Sequence, residues 1–344
     1  MDEIGWGILA TGKITHSIAA DLALVPGARL AAVGSRRLAS AEAFAARYGT
    51  GQQTAPAAYG SYEELVADPA VDVVYVATPH ALHLDHARLA FEAGKHVLCE
   101  KPLTLNVAGA EAMVALARQH DRFLMEAMWT ACHPVVRRVA ADLRAGRFGT
   151  PRHFHAELGF RVDAPAEDRM LNPELGASAL LDMGIYPLTV AHLFLGEAEE
   201  LHAVASLSEG GIDLDVALTG RYPGGALATM TASMTSWSSR AAALATDRGR
   251  IDLDDFHHPT RATFTPYAEG GSNDVDARRE PVHVVGDEPV IGKGYGNEIA
   301  EVVRCLRAGL RESPLVPHAQ TVALMRQMDD VRAQIGVRYA VDDR

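Results

Sequence analysis

Two hydrophobic patterns divide the chain near residue 128. Before that point, short continuous apolar runs alternate with stretches whose apolar positions recur at helical spacing. Continuous runs are typical of strands buried on both faces, so strands alternating with helices predict an α/β fold with a doubly wound parallel sheet. The predicted strands are Trp6–Ala10, Leu30–Val33, Asp72–Ala77, Val97–Cys99 and Phe123–Ala127, and the predicted helices are Ser17–Leu24, Ala39–Tyr48, Leu82–Ala93 and Val107–His120. Ser61 and Glu64 have the spacing of a capping box at a helix start.

After residue 128 the apolar positions alternate with polar ones. In Leu227–Trp237, alanines and methionines point to one face while threonines and serines point to the other, as in a sheet with one buried face. We therefore predict an α+β domain with a large, mainly antiparallel sheet. The domains are expected at 1–127 and 128–344, and the last helix could pack back on the first domain. Further strands are predicted at His153–Gly159, Ala203–Ser208, Val216–Tyr222, Ala241–Ala245, Arg261–Pro266 and Pro281–Val285, and helices at Val135–Ala145, Asn297–Ala308 and Thr321–Ile335.

Composition excludes some classes of protein. The chain has 344 residues and a net charge of −12, without a basic stripe, which argues against a nucleic-acid partner. Its three cysteines fit neither a disulfide framework nor a zinc signature. The N-terminus lacks the pattern of a signal peptide, and no apolar run approaches the roughly 18 residues of a membrane span. We expect a cytoplasmic protein without a membrane partner.

The turn after the first strand carries a partial nucleotide-binding fingerprint. The G-x-G-x-x-G template falls on Ala10, Gly12 and Thr15, so only the middle glycine is present. That glycine lets the backbone approach a pyrophosphate at the N-terminus of a helix. The alternative is an ordinary strand–helix turn. If the turn does bind a nucleotide, the domain is a Rossmann domain and the dinucleotide contacts Ala10, Thr11, Gly12, Lys13 and Ile14.

The end of the second strand predicts which dinucleotide binds. Ser35-Arg36-Arg37 stands where an NAD site would carry an acid for the ribose hydroxyls. Two guanidinium groups and a hydroxyl suit a 2′-phosphate, so we predict NADP, with NAD as the less favoured cofactor. Two arginines could also begin a solvated helix, although a helix N-terminus does not favour positive charge.

Two further strand ends carry candidate residues. Glu100-Lys101-Pro102 ends an apolar strand, at the edge where open α/β sheets bind their ligands. Thr78-Pro79-His80, with His83 three residues later, ends the strand before it and could line the cofactor crevice. The alternatives are a surface lysine in the first case, and a plain turn with two solvated histidines in the second.

In the second half, the segment Leu180–Pro187 combines an acid with a tyrosine. If this segment is helical, Asp182 and Tyr186 share one face at i, i+4. Pro187 predicts a helix start or a kink, because it lacks an N–H and crowds the preceding turn. A buried tyrosine hydrogen-bonded to an acid is the structural alternative.

Together these motifs resemble the glucose–fructose oxidoreductase / inositol dehydrogenase (Gfo/Idh/MocA) family. The resemblance rests on Glu100-Lys101-Pro102, on Thr78-Pro79-x-x-x-His83 and on Asp182-x-Gly184-x-Tyr186, and it covers essentially the whole chain. Other stretches, such as 124–130 and 179–186, are similar to the dihydrodiol dehydrogenase and NADP-dependent D-xylose dehydrogenase branch. Within that branch the chain departs at His80, where asparagine is frequent, and at Ala177-Ser178, where two glycines are frequent.

The resemblance implies a nicotinamide-dependent dehydrogenase acting on a secondary or anomeric alcohol. It assigns acid–base catalysis to Tyr186 with the assistance of Lys101, while Asp182 would orient the pair, and it requires no metal. An ammonium close to a phenol favours the phenolate and so lowers the pKa from its usual value near ~10. The expected cofactor contacts are Ala10, Thr11, Gly12, Lys13, Ile14, Ser35, Arg36, Arg37, Thr78, Pro79, His80, His83, Glu100, Lys101 and Trp129. The expected substrate contacts are Lys101, Trp129, Phe160, Asp182 and Tyr186.

Three questions stay open at this point. The substrate could be an aldose, a polyol, a dihydrodiol or a dicarbonyl reduced in reverse. A catalytically silent, NADP-sensing regulatory protein of the same fold is the alternative function, although the presence of both Lys101 and Tyr186 argues against it. A homodimer, or a higher oligomer, is expected through the second sheet, because the Thr229/Thr231/Ser233/Thr235 face is uncharged. That face could instead be covered by the chain's own helices.

Overall fold

The chain folds into two compact units. The computed structural model describes residues 3–49, 55–267 and 279–343. Unit 1 is built from the described residues of Met1–Cys132, Glu174–Gly176 and Val290–Met325, and unit 2 from those of His133–Pro173, Ala177–Pro289 and Arg326–Arg344. The first segment of unit 1 thus ends at Cys132, whereas the predicted domain boundary lies after residue 127.

Unit 1 contains a six-stranded parallel sheet in the order β3-β2-β1-β4-β5-β6. This is the strand order of a dinucleotide-binding Rossmann sheet, so the predicted fold class of the first half is confirmed. The elements in chain order are β1 (Ile4–Leu9), α1 (Lys13–Leu22), β2 (Ala28–Gly34), α2 (Leu38–Tyr48), β3 (Ala57–Tyr59), α3 (Tyr62–Ala67), β4 (Val73–Val76), α4 (His83–Glu92), β5 (His96–Glu100), α5 (Val107–Gln119), β6 (Leu124–Ala127) and α6 (Trp129–Cys132).

Local sequence signals explain these elements. Every residue of β4 is buried, as expected for a strand that is covered on both faces. Ser61 caps α3 by accepting a hydrogen bond from the Glu64 amide, and its own hydroxyl donates to the Glu64 carboxylate at 3.0 Å. The Ser61 half of the predicted capping box is thus formed, while the Glu64 carboxylate accepts the Ser61 hydroxyl rather than the Ser61 amide. The prediction that α1 begins at Ser17 was wrong, because the helix already begins at Lys13 in the glycine turn.

Unit 2 contains an eight-stranded sheet in the order β14-β13-β12-β11-β7-β10-β9-β8. Among the strands that the described residues form here, only β7 and β10 pair in parallel, and the other neighbouring strands are antiparallel. The predicted mainly antiparallel sheet is therefore confirmed. The elements are α7 (Pro134–Arg144), β7 (Pro151–Gly159), α8 (Ile185–Leu195), β8 (Glu200–Leu207), β9 (Asp213–Tyr222), β10 (Ala226–Ser233), β11 (Ala242–Thr246), β12 (Gly249–Leu253), β13 (Ala262–Pro266) and β14 (Val282–Val284).

The central strand β10 shows the predicted alternation. Ala228, Met230 and Ala232 are buried, whereas Thr229 and Thr231 are exposed. The strand ends at Ser233 rather than at the predicted Trp237, because the Ser233 hydroxyl accepts the amide protons of residues 235 and 236 and turns the chain. The strand β12 was not predicted, since its five residues combine a glycine with two charged positions.

The helix α8 is apolar around most of its circumference and packs against β7 and β10. The helical stretch Pro173–Leu195 is long and apolar enough to cross a membrane, so the expectation that no run reaches that length was wrong. Within its most apolar window, however, 89% is buried inside the folded chain. A core helix of a water-soluble domain has the same composition.

Two long helices complete the chain. The helix α9 (Tyr295–Arg307) belongs to unit 1, and α10 (His318–Ile335) contributes its first residues to unit 1 and the rest to unit 2. All three cysteines are buried thiols.

Candidate functional site

The glycine turn joins β1 to α1 beside the point where the strand order of the sheet reverses. Ala10 has φ = 89°, in the left-handed region that favours glycine, so the conformation of the first fingerprint glycine is kept by an alanine. A Cβ built on Gly12 would meet no described atom within 4 Å. No side chain in the described ranges caps the amides of α1 at Gly12. This turn therefore fits a dinucleotide phosphate, which would accept hydrogen bonds from those amides.

The rest of the turn leaves this approach open. Thr11 and Ile14 are partly exposed and Lys13 is exposed, whereas the Thr15 hydroxyl is buried and donates to the Gly12 carbonyl at 2.7 Å. Thr15, which stands at the third glycine position of the fingerprint, thus stabilises the turn through this hydrogen bond. The predicted contacts of residues 10–14 with a cofactor stay predictions.

The end of β2 carries the arginine pair. Arg36 and Arg37 are exposed and Ser35 is partly exposed, just beyond the carboxyl end of the strand. The backbone amide of Arg37 donates to the Ser35 hydroxyl at 3.4 Å. Arg36 lies close enough to Tyr62 and His86 to affect their pKa values. The two guanidinium groups are thus accessible to an anion at this edge.

Lys101 directly follows β5 and is only 9% exposed, so the surface-lysine alternative was wrong. Carboxyl groups surround its segment. The Tyr75 hydroxyl donates to the Glu100 carboxylate, whose other oxygen accepts the amide of Lys101 at 3.2 Å. Burial raises the pKa of Glu126 to about 7, while hydrogen bonds from Thr321 and Leu103 and the charge of Lys101 favour its ionised form.

His83 holds the two strand ends of this region together. It is fully buried, and its ring nitrogens lie 2.9 Å from the Thr78 carbonyl oxygen and 3.0 Å from that of Pro102. Burial lowers the pKa of His83 to about 4, so the neutral ring donates to one carbonyl at a time. His80 is also buried, with Nδ1 3.1 Å from the Gly176 carbonyl oxygen. The alternative of two solvated histidines was therefore wrong.

Other predicted residues of unit 1 belong to the same region. The Thr78 hydroxyl lies 2.9 Å from Nδ1 of His86, and Pro79 caps the short turn that contains His80. Trp129 is buried at the start of α6 and packs against the Tyr295 ring, with centroids 4.7 Å apart. Unit 1 thus brings together Thr78, His83 and the Lys101 segment through backbone contacts.

One buried carboxyl group in unit 1 was missed. Glu298, in the first turn of α9, is completely buried, and neither of its side-chain oxygens has a hydrogen-bond partner among the described residues. Burial, reinforced by the charges of Glu100 and Asp21, raises the pKa of Glu298 well above its usual range. Its sequence context resembles any solvated helical glutamate, so no local signal could have identified it.

In unit 2, Asp182 and Tyr186 lie on either side of a change of helix type. Residues Leu180–Gly184 form a π-helical turn, and α8 begins at Ile185, as the position of Pro187 predicts. Both side chains are mostly buried, at 7% and 6% exposure. The Asp182 carboxylate lies 3.8 Å from the Arg169 guanidinium, so Arg169 is one ion-pair partner of this acid.

The Tyr186 ring has a neighbour that the sequence analysis did not identify. The His257 ring stands perpendicular to it, with centroids 4.3 Å apart, and the His258 ring packs on His257 in turn at 4.4 Å. Seventy residues separate this pair from Tyr186, so only the folded sheet brings them together. Phe160, the remaining predicted substrate contact, follows β7 and is 42% exposed.

The described ranges contain no group of three or more His, Cys, Asp or Glu side chains that could hold a metal ion.

Comparison with known proteins assigns this architecture to a family. Residues 4–128 match the model of an oxidoreductase family with an NAD-binding Rossmann fold, and residues 136–252 match the GFO/IDH/MocA C-terminal domain. The chain belongs to the Gfo/Idh/MocA oxidoreductase family. The predicted resemblance and the predicted class of enzyme, an oxidoreductase with a nicotinamide dinucleotide, are thereby confirmed.

Individual family members match over nearly their whole length. The chain is 34% identical to trans-1,2-dihydrobenzene-1,2-diol dehydrogenase of Mus musculus, covering 98% of this chain and 99% of the relative. It is also 34% identical to D-xylose 1-dehydrogenase (NADP+) of Hypocrea jecorina, and the match covers 97% of this chain and 92% of that relative. The 3-ketoreductase KijD10 of Actinomadura kijaniata, solved with NADP and TDP-benzene, superposes with a TM-score of 0.83 at 26% identity. The superposition covers 97% of this chain and 98% of that structure.

Proposed function

We propose that this Gfo/Idh/MocA protein is an NADP-dependent dehydrogenase that acts on a secondary or anomeric alcohol of a small polyhydroxylated substrate. The observation that carries the proposal is the full-length match to relatives named as a dihydrodiol dehydrogenase and a D-xylose 1-dehydrogenase (NADP+). These two substrates share a ring with neighbouring oxygen atoms. We therefore assign the protein to sugar or dihydrodiol oxidation, or to the reverse reduction.

The choice of NADP is supported by the second strand end. Arg36 and Arg37 are exposed beside Ser35, and no acid occupies the positions from Gly34 to Arg37. A 2′-phosphate can form charge-assisted hydrogen bonds with guanidinium groups. A relative named for NADP and a ketoreductase solved with NADP are consistent with this choice.

For the chemistry we propose Tyr186 as the acid–base group and Lys101 as its assistant. When bound, the nicotinamide supplies hydride transfer to or from the carbon that carries the hydroxyl. Tyr186 takes the hydroxyl proton during oxidation and returns it during reduction. The ammonium of Lys101 favours the phenolate, and Asp182, which lies near Arg169, orients the pair.

Burial supports these roles. Lys101 and Tyr186 are each less than a tenth exposed, and a mostly buried ammonium is an uncommon state that suits a reaction shielded from water. The surroundings of Lys101 explain how it is tolerated, since Glu100 accepts its backbone amide and its charge acts on Glu126. A purely cofactor-sensing protein would have no use for such a pair.

The test is a panel of aldoses, polyols and dihydrodiols with NADP, followed by the absorbance of NADPH. We expect turnover with at least one ring-shaped substrate and much weaker turnover with NAD. NADP binding without turnover on any member of the panel would instead support the sensing protein.

We further propose that the protein is a homodimer in the cytoplasm, joined through the open face of the second sheet. On three neighbouring strands, Val204, Ala217 and Thr231 form an exposed, uncharged row, which no helix within the described ranges covers. Val204 is 71% exposed and Leu227 is 47% exposed. Light scattering at micromolar concentration should give twice the chain mass, and a monomer mass would contradict the proposal.

A further inference from the structure

His257 lies in the loop between β12 and β13 and contacts the proposed acid–base residue directly. Its ring is perpendicular to the Tyr186 ring, with the centroids 4.3 Å apart. Both residues belong to unit 2, and Tyr186 is almost completely buried. At this separation, one ring occupies space into which the other would otherwise swing.

The loop holds His257 in place from its backbone. The Asp255 carboxylate accepts the amides of His257 and His258, each at 3.2 Å, and it pairs with the Arg240 guanidinium at 3.1 Å. Phe256, between Asp255 and His257 in the sequence, is completely buried, and its amide donates to the Arg240 carbonyl at 3.0 Å. His257 is thus presented from a fixed turn rather than from a loose loop.

Tyr186 needs such support because of its position. It is the second residue of α8 and follows the π-helical turn Leu180–Gly184, where the backbone changes its helical spacing. Rotation about the first side-chain torsion would move the phenol oxygen by several ångströms, and a misplacement of about 1 Å can reduce a rate by about 100-fold. A perpendicular ring at contact distance restricts that rotation.

We propose that His257 is a positioning residue, whose ring holds the Tyr186 phenol in the orientation needed for proton transfer. This inference rests on the proposed role of Tyr186. It assigns the effect to the aromatic ring of His257 and not to proton transfer by its nitrogens. The neighbouring groups on this side include His258, which packs on His257, and His133, whose pKa is lowered to about 4 by burial and by the charge of His258.

The experiment compares three substitutions at residue 257 in the full-length enzyme with its best alcohol substrate and saturating NADP. His257→Ala removes the ring, His257→Leu keeps a similar volume without a ring, and His257→Phe keeps the ring without nitrogens. We expect kcat to fall about 10-fold or more in His257→Ala and His257→Leu, with KM for NADP unchanged, and to recover within about 3-fold in His257→Phe. His258→Ala removes only the ring that packs behind His257 and should therefore lower kcat less than His257→Ala does.

A second arm repeats His257→Ala in the Tyr186→Phe background. Because His257 acts through the phenol hydroxyl, it should cause little further loss there. Equal losses in His257→Phe and His257→Ala would overturn the inference and would indicate that the imidazole nitrogens take part. An unchanged His257 effect in the Tyr186→Phe background would also overturn it. If Tyr186→Phe itself keeps its turnover, the proposed function of Tyr186 fails instead, whatever the His257 variants do.

Discussion

The surroundings of Lys101 and Tyr186 differ in kind. Lys101 follows a strand whose neighbours are carboxyl groups and backbone carbonyls, with Glu100, Glu126 and the His83 contact around its segment. Tyr186 lies against an imidazole ring at the start of an apolar helix. The first position is held by charges and hydrogen bonds, the second by packing. Substitutions that change charge should therefore disturb the position of Lys101, whereas substitutions that change side-chain shape should disturb the position of Tyr186.

The largest expected effect comes from deleting the phenol hydroxyl. Tyr186→Phe keeps the ring and its contact with His257, so folding and NADP binding should survive. General acid–base catalysis contributes about 10²–10⁴-fold, and kcat should fall within that range. The measurement is steady-state turnover, with the melting temperature as the control for folding. Turnover near that of the wild type would move attention to His80, His83 or Asp182 as the proton acceptor.

A smaller effect is expected at the end of β2, where the proposed contact is with the cofactor alone. Arg36→Ala removes one charge-assisted hydrogen bond to the 2′-phosphate, which contributes about 1.5–3 kcal/mol, or roughly 10- to 100-fold in Kd. Titration should show weaker NADP binding, while NAD binding and kcat at saturating NADP stay close to the wild type. An equal loss for both cofactors would mean that Arg36 has a structural role.

The smallest expected effect is on thermal stability, and two buried glutamates on α9 are compared to test it. Glu298→Gln removes a carboxyl group whose raised pKa opposes folding as the pH rises above the unfolded value of about 4.3. The melting temperature should therefore increase by about 2 °C or more at pH 8 and change little at pH 4.

Glu301→Gln is the matched control on the same helix and should have the opposite sign. Burial raises the pKa of Glu301, but hydrogen bonds from Arg304, Ser313 and Cys305 outweigh it and lower the pKa overall. Its stabilisation is present above about pH 4.3 and is lost as the pH falls through the lower, folded value. The variant should therefore melt below the wild type at pH 8. Equal shifts of one sign would contradict the difference between these carboxyl environments.

Sequence patterns predicted the features that depend on neighbours along the chain. Period-two alternation identified the buried face of β10, the Ser61/Glu64 spacing identified a helix cap, and the position of Pro187 identified a helix start. The strand end at Lys101 also followed from local order.

The features that depend on distant contacts were missed. Glu298 is buried close enough to Glu100, at the end of the distant strand β5, for that charge to raise its pKa further. The contact between Tyr186 and His257 requires the loop between β12 and β13, which follows α8 by many residues, and the π-helical turn before α8 leaves no pattern in the apolar positions. Tertiary packing, and not local propensity, decides such features.

The central claim is that Lys101 and Tyr186 act as one catalytic unit, and a double-mutant cycle tests it most directly. The variants are Lys101→Met, Tyr186→Phe and the combination, measured as kcat on the best alcohol substrate with saturating NADP. We predict that each single substitution lowers kcat by about 10²–10⁴-fold and that the combination loses little more than the worse single variant. Losses that multiply in the double variant would contradict the account, because they would show that the two residues act independently.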